Sequence, residues 1–153
     1  MTNTAEPRVA AEKAGEQTDY RLEDQIGFIL RQVSQRHSQI FAELMTDGLT
    51  PTQFAALSKL SDAGECSQNQ LGRLTAMDAA TIKGVVDRLV KRGFVETRSD
   101  PTDRRRRVVA LTPAGSEGIA RAHAMAKKIT TQTQAPLTAA ERRQLLNLLR
   151  KLR

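Results

Sequence analysis

Leu22, Ile26, Ile29, Leu30, Val33, Ile40, Phe41 and Leu44 recur at three- and four-residue steps, a spacing that predicts one amphipathic helix from about Leu22 to Met45. The DGLTP stretch ends it. Thr50 can cap the next helix with Pro51 at its first position, and Phe54, Leu57 and Leu60 give that helix an apolar stripe to about Ala63. GECS interrupts the pattern, after which Ser67 caps a short helix, QNQLGRLT, through Thr75. Asp78 is a good N-cap for AATIKGVVDRLVKRG, whose apolar face is Ile82, Val85, Val86, Leu89 and Val90, and Gly93 ends it. FVETRS and RVVALT read as two short strands joined by the DPTDRR turn. Thr112-Pro113 opens an alanine-rich helix to about Gln134, with Ile119, Ala122, Ala126 and Ile129 along one side. Pro136 breaks it. Thr138 and Glu141 stand at capping-box spacing before a last helix lined by Leu145, Leu148, Leu149 and Leu152.

The predicted fold class is therefore mainly α with a small β-hairpin wing. A short helix, a tight turn, a second helix and a hairpin, in that order, make a winged helix-turn-helix over residues 49–112, a DNA-binding lobe. Residues 20–48 and 113–153 supply the flanking helices. Residues 1–19 lack the apolar core of a signal peptide and read as a disordered arm.

Charge sharpens this picture. The chain carries a formal +7 at pH 7, which favours nucleic acid or an anionic membrane surface as partner. Between Lys83 and Arg107 stand nine basic residues and four acidic ones, so this short segment holds most of the surplus. The segment includes four consecutive arginines, Arg104 to Arg107, inside the chain and next to a turn. A membrane-surface protein would carry its charge on an amphipathic helix with large exposed apolar residues; here the charge sits on a hairpin and a reading helix. No apolar run reaches the length of a membrane span. Aromatic residues make up 3% of the chain, too few for a single-strand binder built on stacked rings. Cys66 is the single cysteine, which excludes an intrachain disulfide and fits a cytoplasmic protein. An enzyme would need a nucleophile–base pair, a metal cluster or a phosphate-cradling glycine loop. None is visible, so we expect no catalytic residues, no metal and no cofactor.

The residues near the start of the second helix of such a motif meet base edges in the major groove. Here they are Ala79, Ala80, Thr81, Lys83 and Gly84: the small ones permit close approach, while Thr81 and Lys83 donate hydrogen bonds. Arg88 lies one and a half turns on and reaches phosphate or a guanine edge. Arg104, Arg105 and Arg106 at the hairpin tip face phosphates or the minor groove, and Asp103 is expected to pair with a neighbouring arginine and steady the tip.

The stretch DPTDRRRRVVALTPAG, following LTAMDAATIKGVVDRLVKRGFVETR, resembles the wing and recognition helix of MarR-family transcriptional regulators. The D-P-x-D-R-R turn, the L-T-x-x-G exit and the V-D-R-L-x-x-R-G-F-V passage carry the resemblance, which extends from about Leu22 to the C-terminus. It implies a homodimer whose N- and C-terminal helices interlock, a pseudo-palindromic double-stranded operator, repression, and Arg105 in the minor groove. It also implies a small-molecule effector in a crevice between dimer helices and DNA-binding lobe. DQIGFILRQVSQRHSQIF looks like the first helix of members that regulate aromatic-acid catabolism, some of which respond to hydroxycinnamoyl-CoA thioesters. An aromatic acyl-CoA such as p-coumaroyl-CoA is thus the first expected effector and a free phenolic acid the second. The expected ligand residues are Arg36, His37, Ile40, Phe41 and Phe54. Two readings of His37 stand side by side: a ligand contact, or a buried histidine satisfied by a neighbouring carbonyl beside a surface arginine. Cys66 is a structural thiol or, less in keeping with its loop position, an oxidant sensor like that of the peroxide-responsive branch. His123, beside the stripe of the long helix, has no sequence-near metal partners.

Overall fold

Side-chain caps begin five of the six α-helices in a computed structural model of the chain, which describes residues 20–153. The arm expected over residues 1–19 lies outside the described residues. In order, the elements are α1 (Ile26–Leu44), α2 (Pro51–Ala63), β1 (Cys66–Ser67), α3 (Gln68–Thr75), α4 (Ala79–Lys91), β2 (Val95–Ser99), β3 (Arg107–Leu111), α5 (Pro113–Thr133) and α6 (Ala139–Lys151). Thr50, Ser67, Asp78, Thr112 and Thr138 each accept a hydrogen bond from the backbone N–H three residues on, satisfying donors that a helix start leaves orphaned. Thr50 with Gln53, and Thr138 with Glu141, close full capping boxes.

Helix α1 starts later than the apolar spacing predicts. Gln25 is extended (φ −83°, ψ 127°) and has no side-chain cap role, so Leu22–Asp24 form a separate 3-10 turn ahead of it. A second departure is the strand β1. Its two residues pair antiparallel with β3, Cys66 opposite Val109, so the expected hairpin is a three-stranded sheet in the order β1-β3-β2.

The core gathers where α2, α3 and α4 cover the sheet. Leu57, Leu60, Leu71, Ile82, Val85, Val86, Leu89 and Val109 are all essentially inaccessible, and each large aliphatic contributes roughly 1.5–3 kcal/mol on burial. Ile119, Ala122 and Ile129 of α5 extend this core, and Ile40 and Phe41 of α1 cover its end. The outer stripes behave differently. Ile26, Ile29, Leu30 and Val33 of α1 stay exposed, as do Leu145, Leu148, Leu149 and Leu152, and no residue of α6 is buried. Val90, read as part of the α4 apolar face, is also exposed.

Helix α5 meets the rest of the chain through one very close backbone contact. A Cβ built on Gly115 would lie 1.9 Å from the Phe94 carbonyl oxygen, far inside van der Waals contact. Gly115→Ala is therefore expected to destabilise the protein by about 2–4 kcal/mol, in the range of overpacked cores and displaced backbone. Urea unfolding measures this, and a midpoint equal to wild type would mean that the first turn of α5 relaxes freely.

Candidate nucleic-acid interface and adjoining crevice

The start of α4 is held by Asp78, whose Oδ1 accepts the Thr81 N–H at 2.7 Å. Hydrogen bonds from Thr81 hold the Asp78 carboxyl below the usual carboxylate range. Ala79, Ala80, Thr81 and Lys83 are exposed and Gly84 is half-buried beneath the Arg88 side chain, whose Nη1 lies 3.6 Å from the place of a Gly84 Cβ. Lys83 Nζ donates to Asp87 Oδ2 at 2.6 Å. The Asp87 carboxyl is lowered first by that bond and further by the charges of Arg107 and Arg88, which brings α4 and the root of β3 onto one basic face. The Lys83–Asp87 pair is solvent-exposed on both sides, and such a pair yields readily to a phosphate.

The turn between β2 and β3 is built from acid-to-backbone bonds. Asp100 Oδ1 accepts the Thr102 N–H and hydroxyl at 2.8 and 2.7 Å, and these bonds hold its carboxyl low. Asp103 Oδ1 accepts the Arg105 N–H at 3.0 Å, and its carbonyl accepts the Arg106 N–H at 2.9 Å. The expected ion pair of Asp103 with an arginine is thus corrected. The short carboxylate reaches the amide two residues on, the Asx-turn geometry, and so is already engaged. Arg104, Arg105 and Arg106 remain exposed, and among the described residues none of them joins a salt bridge. Arg107 instead donates across the hairpin to the Thr97 hydroxyl. Arg98 Nη2 lies 2.6 Å from both carboxylate oxygens of Glu65, tying β2 to the loop before β1. A polar cleft of about 200 Å³ opens between Ser67, Gln68 and Asn69 at the start of α3 and Arg105 to Arg107.

On another side of the molecule, α1, α2 and α5 enclose a crevice of about 230 Å³ lined by His37, Phe41, Pro51, Phe54, Ala126, Ile129 and Thr130. Three rings follow one another along it, with centroid separations of 6.3 Å (His37–Phe41) and 6.1 Å (Phe41–Phe54), and His123, 5.9 Å beyond Phe54, continues the series outside the crevice. His37 Nδ1 shares a 2.9 Å hydrogen bond with the Thr133 hydroxyl, not with the carbonyl anticipated for a structural histidine. His123 Nε2 shares one of 3.0 Å with the Ser58 hydroxyl. Of the expected ligand residues, His37, Phe41 and Phe54 come together here. Ile40 is buried in the core, and Arg36 donates to the Thr133 and Gln132 carbonyls at 2.5 and 3.1 Å, capping the end of α5. His123, Ser58 and Thr133 enter the site only through contacts across 65 to 96 residues of chain. A wider, open cavity of about 660 Å³ along α5 shares Ala126 and Thr130 with the crevice and adds His123, Lys127 and Thr131.

Cys66 is buried in β1, and burial pushes its thiol above the ordinary value, the opposite of what activates a sensing thiolate. Among the described residues no cluster of three or more histidine, cysteine, aspartate or glutamate side chains suits a metal ion, and no helix is long and apolar enough to cross a membrane.

Residues 47–106 match the MarR family. Along the chain, similarity extends to the HTH-type transcriptional repressor NicR of Pseudomonas putida, 40% identical over 136 residues that cover 88% of this chain and 86% of the relative. Among solved structures, a probable transcriptional regulator from Pseudomonas aeruginosa superposes with TM-score 0.85 at 55% identity, covering 87% of this chain and all of that one. Bordetella bronchiseptica BpsR, whose DNA binding is regulated by 6-hydroxynicotinic acid, superposes with TM-score 0.82 at 40% identity, covering 87% and 96% of the two chains.

Gly84 offers a check on which surface of α4 is used. Gly84→Ala should hold or raise stability, by up to about 1 kcal/mol from helix propensity, because its Cβ would meet only the flexible Arg88 side chain. The same change should weaken duplex binding by obstructing close approach of α4. Denaturation and fluorescence anisotropy measure the two effects, and undiminished affinity would move the contact surface away from Gly84.

Proposed function

The chain belongs to the MarR family, and from that premise we propose that it is a homodimeric repressor that binds a pseudo-palindromic operator and releases it on binding a small aromatic acid. The observation that carries the DNA half of this reading is the wing tip, where three arginines are exposed on a turn braced by Asp100 and Asp103 and, among the described residues, join no salt bridge. Their natural counter-charge is phosphate, with release of condensed cations as the driving term. Thr81, Lys83 and Arg88 then face the groove from α4, and Arg104 and Arg106 flank the inserted Arg105. The exposed stripes of α1 and α6 supply the dimer contact, since large apolar surfaces of this kind mark association. Two such lobes read half-sites about one helical turn, or roughly 10 base pairs, apart. We take the protein to act in the cytoplasm, as a regulator and not as an enzyme.

The crevice supports a free aromatic acid as effector. Its volume of about 230 Å³ lies below the ~300–1,000 Å³ of drug-sized sites, which suits a single ring packed against the Phe41–Phe54 pair. The imidazoles of His37 and His123 and the Thr130 hydroxyl offer the polar groups that a carboxylate or ring hydroxyl needs. Regulation of the similar BpsR by 6-hydroxynicotinic acid makes that acid the first compound to try. An aromatic acyl-CoA is the second reading, favoured by the open cavity past His123 and Lys127, where a longer tail would leave the crevice.

A labelled duplex from upstream of the protein's own gene, followed by anisotropy, tests both halves. Arg105→Ala should weaken binding and flatten the salt dependence by about one unit of log–log slope; unchanged slope and affinity would remove Arg105 from the interface. The wild-type complex should dissociate with 6-hydroxynicotinate or p-coumarate and not with free CoA. Release by p-coumaroyl-CoA alone would replace the free acid with the thioester, and a complex indifferent to all of them would remove the aromatic effector.

A further inference from the structure

Arg92, directly after α4, has its guanidinium spent inside the molecule. It follows the last residue of α4, and its Nη1 donates to Gln53 Oε1 at 3.1 Å. Its Nη2 donates to the Asp47 carbonyl, and the Gly48 carbonyl lies within a marginal 3.5 Å of Nη1. The plane also lies over the Phe94 ring, 4.8 Å from its centroid. Each of these partners is tied to a further element. Gln53 is buried, and the same Oε1 accepts the Thr50 N–H in the cap of α2. Asp47 takes up a left-handed backbone (φ 57°, ψ 15°), and its carboxylate pairs with Arg121 of α5 at 3.2 Å. Phe94 packs on Gly118 of α5. One guanidinium therefore joins the end of α4, the connector after α1, the cap of α2 and the root of β2.

We infer that Arg92 is a positioning residue for sequence recognition: it fixes the angle of α4 relative to α1, α2 and α5 and does not touch the duplex. Three features of the geometry demand arginine. Donors are needed in two directions, the two nitrogens must be held in one plane, and that plane must stack on a ring. A lysine ammonium keeps the charge but has neither the fork nor the plane. A residue that only attracted phosphate would tolerate that exchange; a residue that sets an angle would not.

The inference rests on the DNA-binding reading of α4, so the experiment separates the two. The full-length wild-type protein first selects duplexes from a random pool; failure to enrich any sequence would sink the DNA reading itself. Wild type, Arg92→Lys and Arg92→Ala are then titrated with the selected duplex and with an unrelated duplex across a salt series, normalised to folded protein. Arg92→Lys should lose about tenfold or more on the selected duplex, the scale of one good base contact, with the unrelated duplex and the salt slope unchanged. Wild-type behaviour of Arg92→Lys, with Arg92→Ala weaker on both duplexes and its slope lower by about one, would make Arg92 a phosphate contact and overturn the inference. Equal loss on both duplexes would reduce it to a stability role and overturn it too. A DNA-free arm uses spin labels on Lys83→Cys and Lys127→Cys in a Cys66→Ser background. Arg92→Lys should broaden the distance distribution between α4 and α5, and an unchanged distribution would overturn the inference whatever DNA does.

Discussion

The first turn of α5 lies so close to the backbone of Phe94 that only glycine fits at position 115, and the relation between the two halves of the molecule follows from that contact. Thr112 completes it. Its N–H donates to the Phe94 carbonyl at 3.1 Å, its hydroxyl donates to the Gly93 carbonyl at 2.6 Å, and the same oxygen accepts the Gly115 N–H at 3.0 Å. Gly93, with φ +75°, is the left-handed residue that turns the chain out of α4. The end of α4, both roots of the hairpin and the start of α5 are thus locked backbone to backbone. The wing inherits its direction from α4 and cannot swing independently at its base. The L-T-x-x-G pattern has its cause here: leucine for the sheet, threonine for cap and lock, glycine for the approach.

Charge is apportioned with the same economy. Three of the four acids of the basic segment are engaged locally, Asp100 and Asp103 by backbone N–H groups and Asp87 by Lys83, and Asp78 just ahead of it caps α4. Glu65, from the preceding loop, takes Arg98. Acidic residues therefore shape the turn and brace the hairpin, and leave the tip arginines free of salt bridges among the described residues. Four adjacent cations tolerate one another because their heads stand in water, where ions screen beyond about 8–10 Å. Pairing Asp103 with a guanidinium would have added little stability at such exposure and would have removed charge from the tip.

Features set within a few residues were legible in the sequence. The starts of α2 to α6 follow from Thr50, Ser67, Asp78, Thr112 and Thr138, because an N-cap is decided within four residues. The strand β1 was not, since two residues carry no period, and Cys66–Ser67 become a strand only by meeting β3. The bonds of Arg36 to the end of α5 are not legible either, because so distant a partner is invisible in a linear pattern. His123 acquires meaning only through Phe54 and Ser58 on α2. Asp103 was misread for a different reason. Its spacing to the arginines suits an ion pair, and nearness alone decides for the amide.

Helix α2 connects the crevice to the reading helix through its first turn. Pro51 and Phe54 face the crevice, while Gln53 between them faces Arg92 at the end of α4. A ligand wedged against Pro51 and Phe54 acts on DNA only if it binds one setting of α2 more tightly than another. Each tenfold difference in that preference shifts the balance by about 1.4 kcal/mol. Gln53 is the junction, because its one amide oxygen serves both the α2 cap and the guanidinium of Arg92. Reciprocity then requires bound DNA to weaken the ligand by the same factor as the ligand weakens DNA. The crevice and the wing share no lining residue, so a ligand in the crevice would reach α4 only through contacts such as the shared oxygen of Gln53 and the close approach at Gly115.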